Sequence, residues 1–204
     1  MPSDIFELVK MKLHIYIFRH GETYFNEEER FTGWIDSKLD TKGIENAKKI
    51  AKKLKNKKFQ IAFKTHLSRT GATLKEVLKY HPECRRVITD DRMIEKSYGV
   101  LEGKFHKTVI AEYGKKQFDI WHRSYSVPPP GGESIKMVEK RVLSFIKDLM
   151  DRMKAERTNV AISAHGNSMR PFRRFFEHLT VREMIRLENP HDDYFDYEVE
   201  FTAK

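Results

Sequence analysis
Five side chains in this sequence have the types and placement to handle a phosphoryl group: Arg19, His20, Arg69, Glu95 and His165. His20 follows the apolar run Leu13–Phe18 and lies between Arg19 and Gly21; His165 follows Val160–Ala164 and precedes Gly166. A run rich in β-branched and aromatic residues reads as a strand. A glycine placed directly after the histidine lets the backbone turn where a Cβ would obstruct it. Both imidazoles are therefore expected at strand ends, the edge at which an open α/β sheet binds ligands. Taken singly, His165 also reads as a strand-end histidine, Arg69 as a helix-surface arginine and Glu95 as a loop carboxylate in an ion pair. Those separate readings leave the repeated form, apolar strand then histidine then glycine, unexplained.

Two arginines and two histidines concentrate positive charge and donors on a small anion, and phosphate suits a bidentate guanidinium. The sequence has no GxxxxGK[ST] loop, no HExxH and no carboxylates paired at a spacing suited to Mg²⁺, so no metal is expected. An imidazole can then act as nucleophile, splitting one transfer into two steps through a phosphohistidine. The surrounding donors would stabilise the equatorial oxygens of the group in flight. A carboxylic acid must protonate the leaving alkoxide, and Glu95, between glycine-bearing turns, is the candidate.

The elements that must position these groups read in order along the chain. A strand at 12–18 leads into a polar loop, 19–40, too long to be a mere connector. An amphipathic helix at about 42–56, capped by Thr41, turns Ile44, Ala47, Ile50, Ala51 and Leu54 inward. A strand over Phe59–Phe63 and a helix at about 68–80, with Ala72, Val77 and Leu78 inward, come next. Arg86–Thr89 reads as an edge strand, 90–105 as loop and about 107–124 as helical pieces. The prolines of Val127–Ser134 cannot continue a helix. A long helix then starts near Ser134, its inner stripe being Ile135, Val138, Val142, Phe145, Ile146 and Leu149. A strand at 158–163, a helix at about 168–178, a last helix capped by Thr180 and a closing edge strand at 193–201 complete the chain. Strands alternating with helices imply an α/β fold with a mostly parallel, helix-flanked sheet. Residues 1–11 read as either a short helix or a loose arm.

At 204 residues with 39% hydrophobic residues, the chain is expected to form one domain. No apolar run is long enough to span a membrane. The first residues carry Asp4 and Glu7 and no apolar signal core, so a cytoplasmic protein is expected. The single cysteine, Cys84, excludes an internal disulfide and any CxxC metal site. A formal charge of +9 points weakly towards anionic partners. Much of it sits on the lysines between Lys48 and Lys58, which read as the solvated face of a helix. No aromatic residues interleave them as a base-stacking surface requires, so no nucleic acid is expected.

Combined, these motifs resemble the histidine phosphatase superfamily and, within it, the cofactor-dependent phosphoglycerate mutases. The resemblance covers about 12–200. It rests on Arg19 to Thr23, Asn26, Arg30 to Trp34, Asp36, Leu39 and Gly43, then Tyr98 to Gly103, Ala111 to Gly114, and His165 to Ser168. It implies a three-layer α/β fold, with a mostly parallel central sheet, one antiparallel edge strand and helices on both faces. His20 would be the phosphorylated nucleophile, Arg19, Arg69 and His165 would surround the transferred group, and Glu95 would donate and accept the proton. Asn26, Thr32, Gly33, Lys96, Tyr98, His106, His122, Arg123, Gly166 and Asn167 would line the substrate pocket. Glu102 ranks second as the acid because it matches a non-catalytic position of the pattern. The implied reaction interconverts 3-phosphoglycerate and 2-phosphoglycerate, without metal, with 2,3-bisphosphoglycerate priming the histidine. The expected partner is a small phosphorylated three-carbon acid, and a homo-oligomer is left open.

Four departures bear on that reading. Lys96 stands where mutases usually have arginine, His106 where a substrate-binding lysine is expected, and His122 replaces the first of two arginines. Finally, Pro128–Ser134 is compact where mutases usually carry a longer insertion. Beyond these four, the sequence also stops at Lys204 with little tail to close over the site. All act on access of water to the phosphohistidine. The alternative is therefore a phosphatase hydrolysing small phosphate monoesters through the same residues. A binding or scaffold protein without turnover is favoured only if His20 or Glu95 is absent, and both are present.

Overall fold
The computed structural model of the chain describes residues 10–202, so that residues 1–9 of the expected arm lie outside the described residues. Lys10 and Met11 are not arm but the beginning of β1 (Lys10–Arg19). The other strands are β2 (Ile61–Lys64), β3 (Arg86–Thr89), β4 (Val160–Ala164) and β5 (Tyr194–Thr202). They form one sheet in the order β3-β2-β4-β1-β5, parallel except for β5, which runs antiparallel to β1 at the edge.

Alternation along the strands divides the core in two. On one face Leu13, Ile15, Ile17, Ile61, Phe63, Val160 and Ile162 pack against two helices, α6 (Ile135–Glu156) and α7 (Gly166–Glu177). On the other, Tyr16, Phe18, Ala62 and Ala161 meet α2 (Thr41–Leu54) and α3 (Ser68–Leu78). These are the three layers. A short α1 (Tyr24–Glu27) interrupts the loop after β1; α4 (His106–Tyr113) and α5 (Lys115–Arg123) form a satellite around Phe31, Tyr98, Leu101, Val109 and Phe118. α8 (Val181–Arg186) precedes the return into β5 and carries the Thr180 cap, whose side chain accepts from the Glu183 N–H.

Three local expectations are corrected. Asp40, not Thr41, caps α2, its carboxylate accepting from the Gly43 N–H at 2.6 Å. Ile44 is 43% exposed, because the buried arc of α2 runs through Gly43, Asn46, Ala47, Ile50, Ala51 and Leu54, and Ile44 lies one step of about 100° off it. Ala72 is likewise exposed: α3 buries Arg69, Thr70, Thr73, Leu74 and Val77 instead, spending its inner face on polar groups. Three of the basic-run lysines pair with aspartates near or in β5: Lys49 with Asp192, Lys53 with Asp193 and Lys57 with Asp196. Among the described residues no helix is long and apolar enough to cross a membrane.

Candidate active site
The sheet register brings the two histidines together. Arg19 pairs with Ala164 across β1 and β4, so the next residue on each strand, His20 and His165, leaves the sheet at the same level. The His20 N–H donates to the Ala164 carbonyl at 3.0 Å, and the two ring centroids are 5.1 Å apart. Gly21 permits this turn because it lies against Gly43: a Cβ on Gly21 would stand 2.1 Å from the Gly43 carbonyl oxygen, and one on Gly43 1.9 Å from that of Glu22. The N-terminus of α2 is thus clasped against the loop that carries His20.

Both imidazoles have defined tautomers. His20 Nδ1 lies 2.7 Å from the Gly21 carbonyl, which only accepts, so the proton is on Nδ1 and Nε2 keeps its lone pair. Arg69 Nε donates to His165 Nδ1 at 3.3 Å; the His165 proton is therefore on Nε2, 2.9 Å from Thr65 Oγ1. Burial, reinforced by the Arg69 guanidinium, pushes both imidazoles well below the usual histidine range, so both are neutral at pH 7. Arg69 is fully buried and oriented by the Gly33 and Ile35 carbonyls at 2.8 and 3.0 Å. Arg19 lies over Gly166 and donates Nη1 to the Asn189 carbonyl, but its buried Nε has no partner, a donor available to an anion.

Glu95 lies on a loop braced from three sides. Its carboxylate accepts from the Lys96 and Asn167 N–H groups at 2.8 and 3.1 Å; its carbonyl accepts from Trp34 Nε1 and Arg141 Nη2. Glu102 instead turns inward, taking bonds from Ser97 Oγ and the Tyr98 N–H, and does not line the cleft. His20, Glu95 and His165 each offer a ligand atom within 4.8 Å of the others, a spacing that fits a metal ion as well. The Arg19 and Arg69 guanidiniums beside them make the charge balance suit an anion better.

A cleft of about 160 Å³ opens beside these groups, below the ~300 Å³ at which sites for drug-sized ligands begin. Arg19, Glu95, Asn26, Thr32, Gly33, Tyr98, His106, His122, Arg123, Gly166 and Asn167 all line it. Lys96 does not: it is fully buried, donates Nζ to the Trp121 carbonyl at 2.6 Å and sits 4.6 Å from the Tyr98 ring centroid. Its short point-charge head reaches a carbonyl behind the wall, and burial pushes its pKa down to about 8. His106 and His122 lie 5.6 Å apart against Phe31 and Phe118; burial holds His106 below the usual range and His122 at about 3.

Four residues of the site are not among those expected from the sequence. Arg170 lines the cleft from α7, three positions after Asn167, and that helical spacing is its only signal. Asn189 and His191 arrive from the segment between α8 and β5; His191 Nδ1 donates to the His20 carbonyl at 2.7 Å and its ring stands 5.6 Å from that of His20. The segment thus contacts both strand-end loops, Asn189 Nδ2 donating to the Gly166 carbonyl at 2.9 Å. Arg141, on α6, holds the Arg92, Ile94 and Glu95 carbonyls with one guanidinium, itself paired with Glu133.

A fold that brings two strand-end histidines and two arginines together defines a class, and the family model of the histidine phosphatase superfamily (branch 1) matches residues 15–199. The chain belongs to that superfamily. Among its curated relatives, a 2,3-bisphosphoglycerate-dependent phosphoglycerate mutase of Methylobacterium sp. (strain 4-46) is 37% identical over 184 residues, spanning 87% of each chain. Another, of Parvibaculum lavamentivorans, is 35% identical over 178 residues, spanning 85% of this chain and 84% of the relative. A mycobacterial glucosyl-3-phosphoglycerate phosphatase superposes with a TM-score of 0.78 at 20% identity, covering 93% of this chain and 98% of that one. A phosphoglycerate mutase from Bacillus anthracis str. Sterne gives 0.72 at 18%, covering 95% and 89%. At those identities the two structures speak for the shared fold.

Proposed function
We propose that this chain is a phosphoglycerate mutase that interconverts 3-phosphoglycerate and 2-phosphoglycerate through a phosphohistidine on His20. The observation that carries the reading is the His20 imidazole: neutral, its Nδ1 proton held by the Gly21 carbonyl, and enclosed by Arg19, Arg69 and His165 beside the Glu95 carboxyl. The mutase-named relatives support it at the level of sequence.

Starting from phosphorylated His20, the Glu95 carboxylate takes a proton from the free hydroxyl of 3-phosphoglycerate, whose oxygen attacks phosphorus as the N–P bond breaks and leaves neutral His20. Arg19, with its unpaired Nε, and Arg69 hold the equatorial oxygens. In the second half His20 Nε2 attacks the phosphorus of the original ester, an N–P bond forms as the P–O bond breaks, and the departing alkoxide takes the proton from the Glu95 carboxylic acid, which restores phosphorylated His20. The residues present fit a bisphosphorylated acid, since Arg30 and Arg123 line the cleft with Arg19 and would meet a second anionic group. When bound, 2,3-bisphosphoglycerate supplies the phosphoryl group that primes His20. The reading carries with it a small phosphorylated acid as partner and a place in cytoplasmic glycolysis.

One observation favours hydrolysis as a second reading. The Pro128–Ser134 turn packs on the Ser97–Val100 loop, with Val100 N–H donating to Pro130 and Glu133 N–H to Ser97, and none of its residues lines the cleft. On this reading no part of that turn closes the cleft against water once the phosphohistidine has formed. Supplying 3-phosphoglycerate with and without 2,3-bisphosphoglycerate, and following 2-phosphoglycerate and free phosphate, separates the two. Bisphosphate-stimulated isomerisation supports the mutase. Phosphate release alone, from many esters, replaces it with the phosphatase.

A further inference from the structure
The cleft contains a directional hydrogen-bond chain that starts on a residue with no assigned role. Arg170, on α7, is 8% exposed and lines the cleft. Its Nη1 donates to Asn167 Oδ1 and its Nε to the Leu187 carbonyl at 3.1 Å. A guanidinium has donors only, so it dictates which end of the Asn167 amide it meets: the oxygen faces Arg170 and the NH₂ faces away. That NH₂ lies 3.2 Å from Tyr98 Oη, which must accept. Tyr98 is 5% exposed and lines the cleft, and its hydroxyl proton, excluded from the Asn167 side, is free to point into that cleft.

We infer that Arg170 is a positioning residue: through Asn167 it fixes the direction of the Tyr98 O–H, which is thereby presented as a donor to an anionic oxygen of the bound substrate. Burial keeps the hydroxyl protonated, its pKa pushed up to about 12, so it remains a donor throughout the working pH range. Without Arg170 the Asn167 amide is free to rotate by a half-turn. Its oxygen would then accept from Tyr98, and the substrate would lose one hydrogen bond although Tyr98 and Asn167 were unchanged. The inference rests on the reading of the cleft as a phosphate-ester site.

The test is a double-mutant cycle on the full chain, with the dissociation constant for 3-phosphoglycerate measured by calorimetry beside KM and kcat. Tyr98→Phe and Arg170→Met are each expected to weaken binding roughly 2- to 12-fold, the span of one neutral hydrogen bond. The double variant is expected to lose no more than the worse single one, because both remove the same contact. Arg170→Lys, which keeps a donor for Asn167 Oδ1, restores binding to within about twofold, and kcat is the less affected parameter throughout. Losses that multiply in the double variant overturn the proposal, as does an Arg170→Lys chain that folds normally yet binds as weakly as Tyr98→Phe. Should Arg170→Met unfold, the Arg170→Lys and Tyr98→Phe pair carries the test alone. A chain that binds 3-phosphoglycerate without turning it over contradicts the proposed function, while the cycle still decides the role of Arg170.

Discussion

His20 and His165 stand 5.1 Å apart at an interplanar angle of 62°, each one residue beyond the end of its strand, because β1 and β4 are parallel neighbours in register. A one-residue slip in that register would move one imidazole to the opposite face of the sheet. The pair is thus a property of strand pairing before it is a property of any loop. It lets a neutral imidazole and a cluster of donors share one buried spot.

The acid role proposed for Glu95 has a leaving-group signature. Glu95→Gln is expected to slow transfer from an alkyl ester such as 3-phosphoglycerate by roughly 10²–10⁴-fold, the range of general acid catalysis. With an aryl phosphate, whose phenolate needs no proton to depart, formation of the phosphoenzyme should slow much less. Rapid-quench rates on the two esters check this, and equal losses on both would move the proton donor elsewhere.

Gly21 and Gly43 have no room for a side chain. Gly43→Ala is expected to destabilise the fold by about 1–3 kcal/mol, the usual cost of overpacking, and to lower kcat because the obstruction falls on the Glu22 carbonyl, two residues from His20. Urea midpoints and steady-state rates on the same preparation measure both. A variant with unchanged stability would mean that the clasp is looser than its atoms indicate.

The buried histidines set the acid limit of stability. Burial holds His20 and His165 well below 6.5 in the folded chain, His191 at about 4 and His122 at about 3. Below 6.5 the unfolded chain therefore binds protons that the folded chain refuses, and stability rises with pH in that interval. It is fully present above about pH 6.5 and declines towards about pH 4, each histidine contributing at most about 1.4 kcal/mol per pH unit. Urea midpoints across that range follow it, and His191→Gln should flatten the slope. A midpoint independent of pH between those limits would contradict the neutral assignments.

Arg141 never touches the cleft, yet it holds three carbonyls of the Glu95 loop. Arg141→Met is expected to lower kcat by up to about 100-fold, the scale on which ångström misplacements act, with KM changing far less. Steady-state kinetics check it. A rise in KM alone would make Arg141 a binding residue.

The residues legible in advance are those that combine local pattern with chemistry. An apolar run followed by histidine and glycine locates a strand end, and Ser134 before an amphipathic run locates the start of α6. Illegible were residues whose role depends on where a helix face points. Ala72 was expected inside and lies outside because α3 gives its buried face to Arg69, Thr70 and Thr73, which serve the site. Lys96 follows Glu95 directly, yet its side chain passes behind the wall to Trp121, a direction that adjacency cannot reveal. Arg170 and Arg141 look like ordinary polar positions of helices, and His191 sits in a segment without periodicity. Only the packing of that segment over β1 brings it to His20.

The most direct measurement is the site and chemistry of the phosphoenzyme. The chain, mixed with 2,3-bisphosphoglycerate and quenched in alkali, should carry a base-stable, acid-labile phosphoryl group on the peptide containing His20. It should be absent from His20→Ala, which should also lose both isomerisation and phosphate release. A phosphoryl group on another residue, or turnover that survives in His20→Ala, would contradict the account.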